Sequence, residues 1–204
     1  MKQIVKNALI LTAITLISGM LLGLVYEVTK GPIAASKEKA KKEAYQTVLP
    51  DAKEFSNLIF DADIVSKAIK DAGITGCTID EVVIAKSGKE AIGYIVTAKS
   101  SEGYGGDIQV SVGILNDGTI SGVAILSISE TVGLGMKASE PKFYEQFSGK
   151  KVDEFIVTKT GAKAEHEIDA ISGATITSNA MTNAVNAALA YFNQVCVIGG
   201  SVNE

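Results

Sequence analysis

Tryptophan is absent from this chain of 204 residues, histidine occurs once, cysteine twice and proline three times. Each scarcity removes a class of function. With His166 as the sole imidazole, a histidine-rich metal centre is excluded, and a Ser-His-Asp triad would have to be built on that one residue. Cys77 and Cys196 lie far apart and fit no CxxC or similar ligand spacing, so they read as two small apolar residues. A bridge between them would need an oxidising compartment and a geometry that spacing alone does not give. A formal net charge of −4 and a stock of only six Tyr and six Phe speak against a broad polyanion-binding face, and nucleic acid is not an expected partner. No internal repeat and no low-complexity tract is present.

What is present begins with a long apolar run. Residues 7–26 read NALILTAITLISGMLLGLVY, without a charge. At about 1.5 Å per residue in a helix this run spans roughly 30 Å of hydrocarbon. A cleaved signal peptide is the rival reading, but the first small-residue cleavage site, near Ala34 and Ala35, lies well downstream of the run. A retained anchor over 1–30 is the expectation. Lys30, Lys37, Lys39, Lys41 and Lys42 outnumber Lys2 and Lys6, so the charge rule alone does not place the rest of the chain outside the cytoplasm.

Pro32 at a first helical position, strong helix formers up to Val48 and Pro50 just beyond predict a polar connecting helix within 31–50. Residues 51–204 form the expected single domain. Helical patterns occur at 64–72 and 142–147, and strand patterns at 81–85, 92–98, 108–115 and 120–128. Asn116-Asp117-Gly118-Thr119 predicts a tight hairpin between the last two strands. The element order is irregular, which predicts an α+β fold with a largely antiparallel sheet and flanking helices behind the N-terminal transmembrane helix.

The twenty glycines are bunched. Gly103-Tyr104-Gly105-Gly106 precedes the hairpin and Glu130-Thr131-Val132-Gly133-Leu134-Gly135 follows it, and glycines at strand ends let backbone approach a flat ligand closely. A final helix is predicted from Thr177 or Ser178 to Phe192. Ahead of it, Ser172-Gly173-Ala174-Thr175 sets hydroxyls at a helix N-terminus, where unpaired N–H groups and the macrodipole favour an anion such as phosphate. Singly, each of these segments also reads as an ordinary turn or cap.

Together, GYGG, VGILNDGTISGVAIL, ETVGLG, a Phe-containing helix ending near QFSGK, and DAISGATITS resemble the covalent-FMN-binding domain of the RnfG/RsxG family, the G subunits of Rnf electron-transport complexes. A relative of that family, the C subunit of the sodium-pumping NADH:quinone oxidoreductase, is similar. The resemblance runs over nearly the whole chain, with Val132 where members often carry proline and Ile128 where they often carry histidine. It implies covalent FMN on Thr175, esterified through phosphate by a separate flavin transferase that uses FAD and magnesium. It implies further that Ser172, Gly173, Ala174 and Thr177 surround the phosphate. Tyr104, Gly105, Gly106, Glu130, Thr131, Gly133, Leu134 and Gly135 would hold the ring, and Asp169 would be read by the transferase. No catalytic residue and no metal ligand is expected of the chain itself. The implied role is an electron-carrier subunit of an ion-translocating ferredoxin:NAD oxidoreductase complex. It would be single-pass in the cell (inner) membrane, with other complex subunits as partners and its domain on the extracytoplasmic face. Two further readings remain: a stand-alone flavin reductase, and a cofactor-free membrane-anchored adaptor whose SGAT loop only caps a helix.

Overall fold

The computed structural model describes residues 2–197, with side chains through Val195; the side chain of Cys196 lies outside the described residues. The chain divides between Lys42 and Glu43 into two compact units. In the first, helix α1 (Lys2–Val48) begins, and its apolar side chains, among them Leu9, Ile14, Leu21 and Val28, are exposed. By length and composition α1 is able to cross a membrane. Hydroxyls that hydrocarbon would leave without water are returned to the helix: Thr12 donates to the Ala8 carbonyl at 2.9 Å and Thr29 to that of Val25 at 2.8 Å. Pro32 does not open a second helix, as the sequence suggested, but lies inside α1. One missing N–H costs a single helical bond, and strong helix formers after Pro32 continue the run.

The second unit is built on a five-stranded antiparallel meander: β1 (Glu54–Leu58), β2 (Cys77–Ser87), β3 (Glu90–Ser100), β4 (Ile108–Leu115) and β5 (Ile120–Ser127), neighbours in that order. The predicted strands at 81–85 and 92–98 extend to eleven residues each, and β1 was not foreseen. Both faces of the sheet are covered. Val82 and Val96 point into the larger core while their neighbours Val83 and Ile95 pack against Tyr45, Val48 and Leu49 on the other face. Strands buried on both faces lose the apolar/polar alternation, which is why their ends were hard to read. On the second face Gly113 pairs with Gly122, and a Cβ on Gly113 would lie 2.7 Å from the Val48 carbonyl oxygen. Two side-chain-free positions thus admit the backbone at the end of α1.

The hairpin forms as predicted. Gly118 has φ 90°, and Asp117 accepts bonds from the Thr119 backbone N–H at 2.9 Å and its hydroxyl at 3.0 Å. These bonds hold the Asp117 carboxyl below its ordinary range. Glu167 is lowered likewise, by the N–H groups of Lys163 and Ala164. Both folded-state values lie below the unfolded ones, so their contribution is full above the ordinary carboxylate range and lost as pH falls through the folded values. A melting series in acid is expected to show the melting temperature declining from about pH 4 downward. A temperature flat to about pH 2 would contradict this.

Helix α2 (Ala62–Asp71) is capped by Asp61, whose side chain accepts from the Asp63 N–H. Instead of one helix at 142–147 there is a 3₁₀ turn at 135–139, a short α3 (Pro141–Tyr144) and a further 3₁₀ turn to Phe147. Phe143, Phe147 and Phe155 pack edge to face here, with centroids 6.0 and 5.1 Å apart. Two three-residue strands, β6 (Ile156–Thr158) and β7 (Glu167–Asp169), pair in parallel, a feature too short to read from sequence. Helix α4 (Thr175–Tyr191) lies against β2, β3 and β4 and is buried almost all round. Its many alanines suit a helix enclosed on several sides and are strong helix formers.

Candidate functional site

Because β4 and β5 are antiparallel, with Gln109 opposite Ser127, the loop before β4 and the loop after β5 emerge together. The start of α4 reaches the same place. A cleft of about 590 Å³ results, lined by Tyr104, Glu130, Thr131, Leu134, Gly135, Gly173, Ala174, Thr175, Ile176 and Thr177. All three segments singled out from the sequence meet in it. Of the expected residues, Gly105, Gly106 and Gly133 belong to the same loops but do not line the cleft. Ser172 lines a neighbouring groove of about 600 Å³, together with Asp169, Lys137, Lys142 and Lys159.

The attachment segment is held by a chain of backbone bonds. Gln146 receives the Asp169 N–H at 2.7 Å and the Asp169 side chain accepts from the Ala162 N–H. The Ala170 N–H bonds the Thr158 carbonyl at 2.8 Å, and a turn over 171–174 closes through Ala174 N–H to Ile171 carbonyl at 2.9 Å. Gly173, at φ 78°, occupies the third position of that turn, which in a type II turn requires a positive φ. The turn then feeds directly into α4.

Helix α4 starts at Thr175, two or three residues earlier than the sequence pattern suggests, and its cap is Ala174, which makes no side-chain bond. The expected capping hydroxyl, that of Ser178, is used elsewhere. It accepts the Ile171 N–H and donates to the Ala174 carbonyl, both at 2.9 Å, and is fully buried. Ser178 therefore ties the first turn of the helix back across the loop. Replacing it with alanine leaves a buried N–H without its acceptor, which costs about 1–3 kcal/mol. The melting temperature of the Ser178→Ala chain is expected to fall by roughly 2–10 °C, and an unchanged value would contradict this role.

The hydroxyls of the motif differ in access. Thr177 is 1% exposed, Ser178 is buried, Thr175 is half-buried at the cleft and Ser172 is exposed outside it. The N–H groups of Thr175, Ile176 and Thr177 open the helix and have no carbonyl partner within it. The opposite wall is made of glycine backbone: a Cβ on Gly135 would stand 2.7 Å from both Glu130 Oε2 and Thr177 Oγ1, and one on Gly105 would collide with the Ser129 carbonyl. Tyr104 and Val132, 73% and 87% exposed, stand at the rim with Ile176. Ile176 was not foreseen, since an apolar residue in a first helical turn carries no signal of its own. Away from the cleft, Cys77 is half-buried and its thiol is pushed up, chiefly by burial.

A cleft of this size falls within the usual range for cofactor sites. Its donor-rich helix start suits a phosphate, and its glycine wall suits a flat ring. These features are those of an FMN-binding domain, and residues 103–190 match the FMN-binding domain family. Residues 1–48 match the RnfG N-terminal region. The G subunit of the Na(+)-translocating ferredoxin:NAD(+) oxidoreductase complex of Acetobacterium woodii is 37% identical over 95% of this chain and 94% of its own length. The proton-translocating counterpart of Clostridium ljungdahlii is 34% identical over 91% and 88%. The G subunit of the ion-translocating oxidoreductase complex of Methanosarcina acetivorans is 31% identical over 93% and 95%. The crystal structure of Shewanella oneidensis NqrC aligns at a TM-score of 0.48 and 22% identity over 57% of this chain and 61% of that one, too loosely to bear on the site. This chain belongs to the RnfG family, the G subunits of ion-translocating oxidoreductase (Rnf) complexes.

Proposed function

We propose that this chain is the flavin-carrying electron-transfer subunit of a membrane-bound, ion-translocating ferredoxin:NAD oxidoreductase complex, with FMN joined through its phosphate to Thr175. The observation that carries the reading is the selective access of Thr175: it is the hydroxyl that both lines the cleft and retains exposure, at the first position of a 17-residue helix. In the joining step the Thr175 hydroxyl oxygen attacks the FMN-side phosphorus of FAD, one pyrophosphate bond breaks, AMP leaves and the hydroxyl proton passes to the transferase. The resulting phosphoester remains beside the free N–H groups of the first turn of α4, where Ser172, Gly173 and Ala174 shape the approach. Thr177 packs beneath it. Tyr104, Glu130, Thr131, Leu134 and Gly135 bound the space for the ring, while Gly105, Gly106 and Gly133 set the course of the two loops. Bound flavin supplies one- and two-electron transfer, and the chain positions it.

The exposed apolar stretch of α1 supports membrane anchoring. We assign residues 1–30 to a single-pass anchor, 31–50 to the connecting helix and 51–204 to the flavin domain, on the extracytoplasmic face of the cell membrane. There a tether prevents loss of the cofactor. The partners are the other subunits of the complex and, during maturation, the flavin transferase. Co-expression with that transferase is expected to give a protein whose flavin fluorescence survives denaturing electrophoresis. A colourless protein, with the transferase active on a control substrate, would favour the cofactor-free adaptor.

A further inference from the structure

The cleft contains a buried polar atom that the fold leaves unsatisfied. Glu130 is 8% exposed, lines the cleft, and its Oε1 has no hydrogen-bond partner. Two glycines make the room it occupies: a Cβ on Gly103 would come within 2.9 Å of Oε1, and one on Gly135 within 2.7 Å of Oε2. One glycine comes from the loop before β4 and the other from the loop after β5, so both loops are shaped around this carboxylate. Thr177 Oγ1 stands equally near the Gly135 position, yet the carboxylate oxygen has no donor from it.

A glutamate carboxylate accepts hydrogen bonds and offers several lone pairs, so an orphaned buried oxygen is a standing cost to the folded chain. Leaving such an atom unpaired is uncommon and calls for a partner from outside the chain. A flavin carries donors of the required kind, ribityl hydroxyls and a ring N–H, whereas its carbonyl oxygens and phosphate would be disfavoured beside a carboxylate. The separation of roles is physical: the start of α4 supplies N–H donors at one part of the cleft, and Glu130 supplies an acceptor at another.

We propose that Glu130 is the hydrogen-bond acceptor for a hydroxyl or ring N–H of the bound flavin, and that loading satisfies an oxygen that the unloaded chain leaves unpaired. This inference rests on the flavin reading above. It differs from a purely structural role for Glu130 in one consequence. An apolar replacement of similar size relieves the unloaded protein and penalises the loaded one, so the effect of the substitution changes sign with loading.

The test is thermal melting of full-length wild type, Glu130→Leu and Glu130→Gln, each prepared with and without co-expressed transferase, with flavin content read by absorbance. Glu130→Leu is expected to melt at or above wild type when unloaded, and to gain less on loading, by about 3–10 °C. Glu130→Gln keeps the shape and one acceptor oxygen, so it retains most of the gain and guards against a folding defect in the leucine variant. Equal gains in all three proteins would overturn the assignment while leaving the flavin reading intact. Wild type that takes up no flavin would overturn both. Non-covalent binding of riboflavin and of lumiflavin, which lacks the ribityl chain, then identifies the donor. A penalty in Glu130→Leu for both ligands indicates the ring N–H, a penalty for riboflavin alone indicates a ribityl hydroxyl, and no penalty for either counts against the assignment.

Discussion

Thr175→Ala is expected to yield a folded protein with no covalent flavin. The threonine hydroxyl is the atom through which the proposed bond forms, and alanine offers no nucleophile in its place. Other hydroxyls of the motif do not substitute for it. Thr177 is 1% exposed and packs against the Glu130 and Gly135 wall, Ser178 is committed to two bonds, and Ser172 lines a different groove. Because Thr175 is half-buried at a helix start and alanine is a strong helix former, the change is expected to shift stability by less than about 1 kcal/mol. Thr177→Ala, by contrast, should keep its flavin while losing some stability, since it empties a packed position. Fluorescence on a denaturing gel reads the first effect and thermal melting the second. Persisting covalent flavin in Thr175→Ala would refute the assignment of the tether.

Asn186→Ala is expected to cost more stability than either Ser178→Ala or Thr177→Ala. Its side chain receives the Phe155 N–H and donates to the Phe155 carbonyl, each at 2.9 Å, and it is 4% exposed. Removing it strands two buried backbone groups at once, at about 1–3 kcal/mol apiece, or roughly 2–6 kcal/mol together. Against the roughly 5–15 kcal/mol typical of domains this is a large fraction. The bonded pair fixes the strand that begins at Phe155 to the middle of α4, and through β6 and β7 it sets where the attachment turn leaves the sheet. A drop in melting temperature of at least several degrees is expected. A change within about one degree would show that the pair is dispensable.

Much of the site was legible in the sequence because its determinants are local. A positive-φ glycine in the SGAT turn, hydroxyls at a helix start and glycine clusters at strand ends each follow from short-range backbone requirements, and the hairpin placed both loops at one end of the sheet. What escaped reading depends on partners distant along the chain. Ser178 resembles an ordinary cap until its bonds to Ile171 and Ala174 are seen, and its recruitment moves the helix start to Thr175. Asn186 sits mid-helix, where asparagine is a poor helix former, and only the bonds to Phe155, 31 residues away, explain it. Strands β6 and β7 are three residues each, below the length at which alternation is visible. The run through Pro32 was misjudged for a different reason: proline marks a helix start by preference, and a long helix on both sides overrides that preference.

The central claim, that this chain carries FMN as a phosphoester on Thr175, is tested most directly by peptide mass mapping of protein purified from cells that express the transferase. No lysine or arginine follows Lys163, so trypsin leaves 164–204 as one peptide containing Ser172, Thr175, Thr177 and Ser178. The account predicts that this peptide gains the mass of FMN less one water, with fragmentation placing the addition on Thr175. An unmodified peptide from cells whose transferase modifies a control substrate, or an addition on Ser172 or Thr177, would contradict it.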